Sequence, residues 1–402
     1  MKILYFHQYF TTPRFAGGTR SYEIAKRLMA GGHAVKMVCS YNPKFGLCEV
    51  KKNEFRGDVD GIDTVAFAVP YSNSMGIAAR LMAFLKFLFK SVRLLFTEDY
   101  DAVYATSTPL TVGLIGIAAK IFRRKKIFCF EVRDLWPELP VAMGLKNPVI
   151  IFGMWAIEGL SYRCADMCIG LSPGIVEGIR RRCPKSTPVY MIPNACDVES
   201  VSPAPRGIEG LEGANKEDFA AVFTGAHGLA NGLYALLDVA KVLKQKGAEN
   251  IKIILIGDGK LKPSLVERAK AENLDNVLFF DPIPKKKLFE IVARADAGLM
   301  ILDNIPAFYY GTSPNKFFDY LSCGIPVITN YEGWVADIIK ENKCGYYVRH
   351  SRTGEFAEIL MKMAEDPEGC AQMRAASRKT AETKFARDIV LKDIAAIFEQ
   401  RK

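Results

Sequence analysis

Short apolar, β-branched runs alternate with amphipathic stretches along most of this chain. KILYFHQYF reads as a first strand, then comes a loop rich in glycine and polar residues, then a helix to about Met29. Gly31-Gly32 stops that helix and AVKMVCS follows as a second strand. DAVYATST, IFCFEV and ADMCIGLS continue the strands, with LTVGLIGIAAKIF, Ile150 to Arg163 and GIVEGIRRR as helices. A short strand from Val189 ends at Pro193-Asn194, after which the periodicity collapses into Ser, Pro, Gly and Glu between Asp197 and Asp218. Such a stretch is a linker. Beyond it FAAVFTGAHG, IKIILIGDG, NVLFFDPI and AGLMIL read as strands separated by helices. Apolar strands alternating with helices predict parallel sheets covered on both faces. The fold class is therefore α/β, two Rossmann-like doubly wound domains. They span residues 1–200 and 218–384 around a linker at 201–217, and 385–402 is a last helix free to return to the first domain.

The densest chemistry lies in YGTSPNKFFDYLSCGIPVIT, Tyr310 to Thr329. Ser313 is placed to cap a helix with Pro314 at its first position, and Gly324 with Pro326 ends it. Lys316 and Asp319 share one face of that helix. A helix start with free amides and an adjacent lysine suits a phosphate, and a carboxylate one turn deeper suits sugar hydroxyls. The alternative is a capped helix with a solvated Lys–Asp pair. Glycines follow the first strand of the second half, Gly225 and Gly228, and another strand, Gly257 and Gly259 with Lys260. These turns and the Lys316 helix start are placed to converge on one diphosphate.

In the first half, Gly17 and Gly18 fall in the loop after the first strand, which in an open parallel sheet faces the ligand crevice. Backbone amides there approach an anion closely, and Arg20 adds charge. IFCFEV leads directly into Arg133-Asp134-Leu135-Trp136-Pro137-Glu138. Asp134 is placed to orient an acceptor hydroxyl or take its proton, with Arg133 pairing with it or with a phosphate. The competing reading is a structural arginine–carboxylate knot beside a packed tryptophan. Asp58-Val-Asp60 matches Asp-x-Asp literally but lies among glycines and charges, so it reads as a turn.

Thr64 to Thr97 contains no acidic residue. Within it IAARLMAFLKFLFKSVRLLF carries Lys86, Lys90 and Arg93 along one helical stripe, a pattern that lies in a membrane interface with cations near lipid phosphates. A core helix whose cations snorkel outward is the other reading.

Charge sharpens this picture. The 402 residues carry a formal net charge of +10, which favours an anionic partner. The ten cysteines form no C-x-x-C pair and only four histidines are present, so no zinc site is expected and the thiols fit a reducing cytoplasm. Met1-Lys2 runs straight into a strand, as in a chain without a signal peptide. No apolar run approaches the roughly 20 residues that span a bilayer.

With these residues in view, the chain resembles the retaining group 1 glycosyltransferases of the GT-B fold, which carry a Glu-x7-Glu motif. GGTRSYEIAKRLMAGGHAV, VFTGAHG, ILIGDGKLK and SPNKFFDYLSCGIPVI carry the resemblance, which covers nearly the whole chain. EVRDLWPE with SPNK is most like a bacterial subgroup of surface-polysaccharide and O-antigen enzymes that includes N-acetylfucosamine transferases. The resemblance implies two domains facing across a cleft, the donor nucleotide sugar bound by the second and the acceptor by the first. It places Asp319 on the donor ribose, in the position of the second Glu. Gly311 stands where the first Glu would fall, leaving Ser313, Asn315 or Lys316 to contact the donor sugar. It implies metal-independent transfer without a cofactor; the base is open between uracil and guanine, with uracil the expectation. The implied acceptor is an undecaprenyl-diphosphate-linked saccharide at the inner face of the cytoplasmic membrane, and nucleic acid is not a partner. The rival readings are a sugar-nucleotide 2-epimerase of the same fold and a non-catalytic membrane module. A dinucleotide oxidoreductase would need a complete G-x-G-x-x-G, which no loop supplies.

Overall fold

β1 (Lys2–Phe6) sits inside an eight-stranded sheet with β2 (Ala34–Ser40), β3 (Glu54–Val59), β4 (Ile62–Phe67), β5 (Ala102–Thr106), β6 (Ile127–Val132), β7 (Met167–Gly170) and β8 (Val189–Met191). The order is β3-β4-β2-β1-β5-β6-β7-β8, parallel throughout except for the β3–β4 hairpin. Asp58 and Asp60 frame that hairpin's turn: Asp58 Oδ1 accepts from Gly61 N at 2.8 Å, and Asp60 pairs with Arg14. The winding reverses between β1 and β5, so the loops leaving their carboxyl ends open on the ligand crevice of such a sheet.

Every residue of β5 and β6 is buried, as strands covered on both faces require. α2 (Ile77–Thr97), α3 (Gly113–Phe122), α5 (Pro148–Cys164) and α6 (Pro173–Arg182) contribute to one core on one face. α4 (Glu138–Ala142) precedes α5, and α1 (Arg20–Ala30) covers the opposite face with the last helix, Ile394–Glu399. Gly31 permits that approach, because a Cβ there would meet the Ala395 Cβ at 2.4 Å. The long terminal helix expected from residue 385 is broken into Arg387–Val390 and Ile394–Glu399.

A second sheet runs β11-β10-β9-β12-β13-β14, all parallel. Its strands are β9 (Phe219–Thr224), β10 (Ile251–Ile256), β11 (Val277–Phe280), β12 (Ala297–Met300), β13 (Val327–Thr329) and β14 (Gly345–Tyr347). The order reverses between β9 and β12, the arrangement of a dinucleotide-type doubly wound sheet. Its first helices are α7 (Tyr234–Gln245), α8 (Lys262–Ala271), α9 (Lys285–Val292), α10 (Pro306–Tyr310) and α11 (Asn315–Ser322).

This computed structural model describes all residues except 16, 42–52, 71–74, 209 and 402. Its contacts divide into two units: Met1–Pro193 with Tyr310–Thr312 and Val390–Lys402, and Asn194–Tyr309 with Ser313–Ile389. Residues 194–200, assigned above to the first domain, fall in the second unit, and the described residues of 201–217 form neither helix nor strand. Among the described residues no helix is long and apolar enough to cross a membrane.

Candidate functional site

α11 forms because Phe317, Phe318, Tyr320 and Leu321 bury one side against the second sheet, and Gly324, at φ +65°, turns the chain into β13. Its start is one residue later than the sequence suggests. Pro314 occupies the cap position, where its carbonyl accepts from Phe317 N at 3.1 Å, and no side chain caps the helix. Ser313 is therefore not the cap. Its hydroxyl instead accepts from Asn194 N at 3.0 Å, while Asn315 is exposed at the first helical position. The leading amides of α11 are left without a side-chain acceptor, which suits an anion.

Lys316 is half-buried. Its Nζ donates to Asn231 Oδ1 at 3.0 Å and stands 3.8 Å from the centroid of the Phe223 ring. No carboxylate pairs with it among the described residues, and burial pushes its ammonium down to about 7. Gly225, at φ +129°, lies under the same side chain: a Cβ there would come within 3.6 Å of Lys316 Nζ. Gly257 backs Gly225 so closely that a Cβ would meet the Gly225 carbonyl oxygen at 1.9 Å. His227 N donates to Asp258 O and Leu261 N to His227 O, each at 2.9 Å, so the two glycine turns are laced together. The structure thus brings Gly225, Gly257 and Lys316 together. Gly228 begins the short 3-10 turn Leu229–Asn231 that delivers Asn231, and Lys260 is exposed.

Asp319 does not pair with Lys316. Its carboxylate faces Lys285 Nζ at 3.5 Å, so the solvated Lys–Asp pair considered above does not form. Burial raises its pKa, against the opposing pull of Lys285. Lys285 opens α9 and escaped the sequence reading, although PKKK directly after a strand was the available signal. Asn231 and Phe223 escaped too, because only the folded loops bring them to Lys316.

In the first unit, His7 and Gln8 leave β1 at the reversal of the winding and are buried. Arg133 Nη1 lies 3.3 Å from His7 Nε2, and Arg133 N donates to Ser107 Oγ at 3.0 Å. Burial, reinforced by Arg133, pushes His7 down to about 3, so the imidazole is neutral and Nε2 accepts from the guanidinium. Among the described residues, His7 Nδ1, both side-chain amide atoms of Gln8 and the hydroxyls of Thr11 and Thr12 are buried without a protein partner. Buried polar atoms in that state are costly unless a ligand or water meets them. Asp134 stands beside this cluster, forms no ion pair with Arg133 among the described residues, and has its pKa raised by burial. The arginine–carboxylate knot exists, but between Arg182 and Glu158, whose carboxylate also accepts from Trp136 N at 2.8 Å.

Two expectations are corrected here. Arg20 is no phosphate ligand: its guanidinium is buried on Glu131, at 2.8 and 3.1 Å, and also donates to the carbonyls of Ile192 and Pro193. Gly17, at φ +133°, and Gly18 do sit in the loop ahead of α1, with Gly17 against the Thr11 methyl. Lys90 is not part of a free basic stripe either. Its Nζ lies over the Phe67 ring and within 3.4 Å of Asn53 O, whereas Lys86 and Arg93 are exposed. Among the described residues no cluster of His, Cys, Asp and Glu is arranged to hold a metal ion.

Two doubly wound parallel sheets, one with a lysine and glycine turns at a helix start, define the class, and comparison with known proteins agrees. Residues 210–380 match the family described as glycosyl transferases group 1, and residues 16–195 match the glycosyl transferase 4-like domain. Both matched segments are glycosyltransferase domains, and the two Rossmann-like sheets match the GT-B fold of solved glycosyltransferases, so the chain is a glycosyltransferase of that fold. The amylovoran biosynthesis glycosyltransferase AmsK of Erwinia amylovora is 22% identical over 172 residues, 42% of each chain, so the similarity spans less than half of that relative. Sucrose-phosphate synthase of Thermosynechococcus elongatus superposes with a TM-score of 0.76 at 15% identity, over 99% of this chain and 98% of that one. Anabaena HepE, solved in complex with UDP, superposes with a TM-score of 0.68 at 16% identity over the whole of both chains.

Proposed function

We propose that this enzyme transfers a sugar, with retention, from a uridine-diphosphate donor to a saccharide carried on a lipid diphosphate at the inner face of the cytoplasmic membrane. The observation that carries the donor half is the Lys316 ammonium, held by Asn231 and Phe223 beside the Gly225–Gly257 turns with no carboxylate among the described residues to neutralise it. A diphosphate there takes the uncapped amides of α11 and the lysine, and the charge developing on the leaving phosphate meets both. Asp319 takes the ribose hydroxyls, exchanging Lys285 for them. Ser313, already held by Asn194, is less free to contact the sugar than Asn315.

The acceptor half rests on the cluster of His7, Gln8, Arg133 and Asp134, where buried polar atoms await partners. Asp134 orients the acceptor hydroxyl, and the departing phosphate takes its proton. No cofactor besides the donor is needed. The UDP complex of HepE supports a nucleotide-sugar donor, and the amylovoran biosynthesis glycosyltransferase AmsK supports a polysaccharide product. The EVRDLWPE and SPNK segments favour an N-acetylated amino sugar such as N-acetylfucosamine.

Calorimetric titration of UDP, GDP and NAD into the wild type and Asp319→Ala tests the donor site. UDP binding that weakens in the variant supports it. No nucleoside-diphosphate binding by the folded wild type sinks it.

A further inference from the structure

The first ten residues of α5, Pro148–Ile157, are PVIIFGMWAI, and none of their side chains is buried. Val149, Phe152 and Trp155 are 78%, 67% and 50% exposed, and the last two rings stack at 6.3 Å. The helix is anchored by buried Glu158, Ser161 and Tyr162, with Met154 and Ile157 partly buried on the core and Arg182 over the inner side of the Trp155 ring, 5.0 Å from its centroid. Exposed apolar groups of this size normally mark a surface that something covers.

The neighbouring helices extend the patch. Thirteen of the 17 strongly exposed large hydrophobic side chains among the described residues lie between residues 77 and 164. On α2, Phe89 is 71% exposed and Phe96 packs edge-on against Phe122 of α3 at 5.1 Å. α2, α3 and α5 belong to the core on the same face of the first sheet, so their outer sides look the same way.

Charge decides between occupants. Lys86, Arg93, Arg123, Arg124, Lys125 and Lys146 are exposed on this face and its rim. Among residues 75–97 there is no acid, and from there to residue 165 the exposed acids are Asp99, paired with Lys2, and Glu138. A second copy of the chain would bring these cations against themselves. An anionic lipid surface complements both the apolar side chains and the cations.

We propose that the first turns of α5, flanked by α2 and α3, seat this unit on an anionic bilayer, with Val149, Phe152 and Trp155 in the acyl boundary and the cations at the lipid phosphates. This deepens the reading of a lipid-borne acceptor, on which it rests for its purpose, by assigning the surface that meets the membrane. The buried end of α5 is tied to the segment carrying Asp134. Trp136 N donates to Glu158, and Arg182 donates to Glu158 and to the carbonyls of Trp136 and Trp155. Seating α5 therefore fixes the height of the acceptor cluster's Arg133–Trp136 loop above the membrane.

Co-sedimentation with phosphatidylcholine vesicles, with and without phosphatidylglycerol, tests this on the full chain. The wild type is expected to bind the anionic vesicles, and salt to weaken binding. Val149→Ser with Phe152→Ser should cost about tenfold or more in partitioning, since two apolar groups leave the lipid. Lys86→Glu with Arg93→Glu should abolish the preference for phosphatidylglycerol. Brominated lipids should quench fluorescence in the wild type and much less in Trp155→Phe. Unchanged UDP binding and thermal unfolding verify that the variants are folded. A folded wild type that ignores vesicles, or a serine variant that binds them equally well, overturns the proposal. So does a dimer that the serine variant converts to monomer. Vesicle binding without UDP binding would instead leave this surface standing and remove the donor reading.

Discussion

Lys285 Nζ lies 3.5 Å from Asp319 Oδ1, joining the first turn of α9 to the second turn of α11. The pair occupies the carboxylate proposed to hold the donor ribose, so ligand and lysine compete for it. Asp319→Ala is expected to weaken UDP binding about tenfold or more, the scale of lost charge-assisted hydrogen bonds. Lys285→Ala should leave binding within a few fold or tighten it. Calorimetry on both variants reads the difference, and a larger loss from Lys285→Ala would place the lysine on the nucleotide instead.

Lys316 bears on proton uptake. Its ammonium is pushed down to about 7 by burial, so just above that pH much of it is neutral, and a bound diphosphate would favour the charged form. UDP binding at pH 8 should take up a proton, visible as a heat that changes with the ionisation enthalpy of the buffer, and affinity should fall as pH rises above 7. The stability sign is opposite to that of a paired lysine. Between pH 7 and the unfolded value near 10.5 the unfolded chain binds more protons, so stability rises with pH over that window. Lys316→Ala is expected to lower turnover about 10²-fold or more, as loss of a leaving-group donor does.

Asp134 carries a raised pKa and no ion-pair partner among the described residues, which suits a group that orients an acceptor hydroxyl. Asp134→Asn should reduce kcat by about 10²-fold or more with UDP affinity unchanged. A variant that loses UDP binding equally would move Asp134 out of the acceptor role.

The buried Arg20–Glu131 pair governs acid stability. Burial alone would raise Glu131, but Arg20, Arg133 and Thr106 outweigh it and hold the carboxyl down to about 2. Because the folded pKa lies below the unfolded one, this contribution is present above about pH 4.5 and is lost as pH falls toward 2. Arg20→Ala leaves a fully buried carboxylate also facing Tyr104 and Thr106, and should cost about 3–5 kcal/mol in denaturant unfolding.

The parallel sheets were legible because β-branched apolar runs have few other uses, and the glycine turns because they follow strands directly. The pairing of side chains was not. Arg20 reads as a loop cation until its partner is known to be Glu131, 111 residues away on a buried strand. Lys316 and Asp319 share a helix face in sequence, yet one turns to Asn231 and the other to Lys285, elements 85 and 34 residues distant. Nothing in the helix read from Ile150 to Arg163 marks the exposed start of α5, since apolar composition does not say which side meets a neighbour.

Leu391, Ile394, Ile397 and Phe398 belong to the core that also holds Ile3, Tyr5 and Leu28. The ribosome delivers those four residues after all of the second unit, so the first unit to be begun closes only once the second has been made. Until then α1 alone packs on that face of its central strands, while the second unit folds from residues already present. A stop codon near Val390 would therefore injure the protein at its opposite end in sequence, sparing the unit proposed to hold the nucleotide and exposing the one proposed to hold the acceptor.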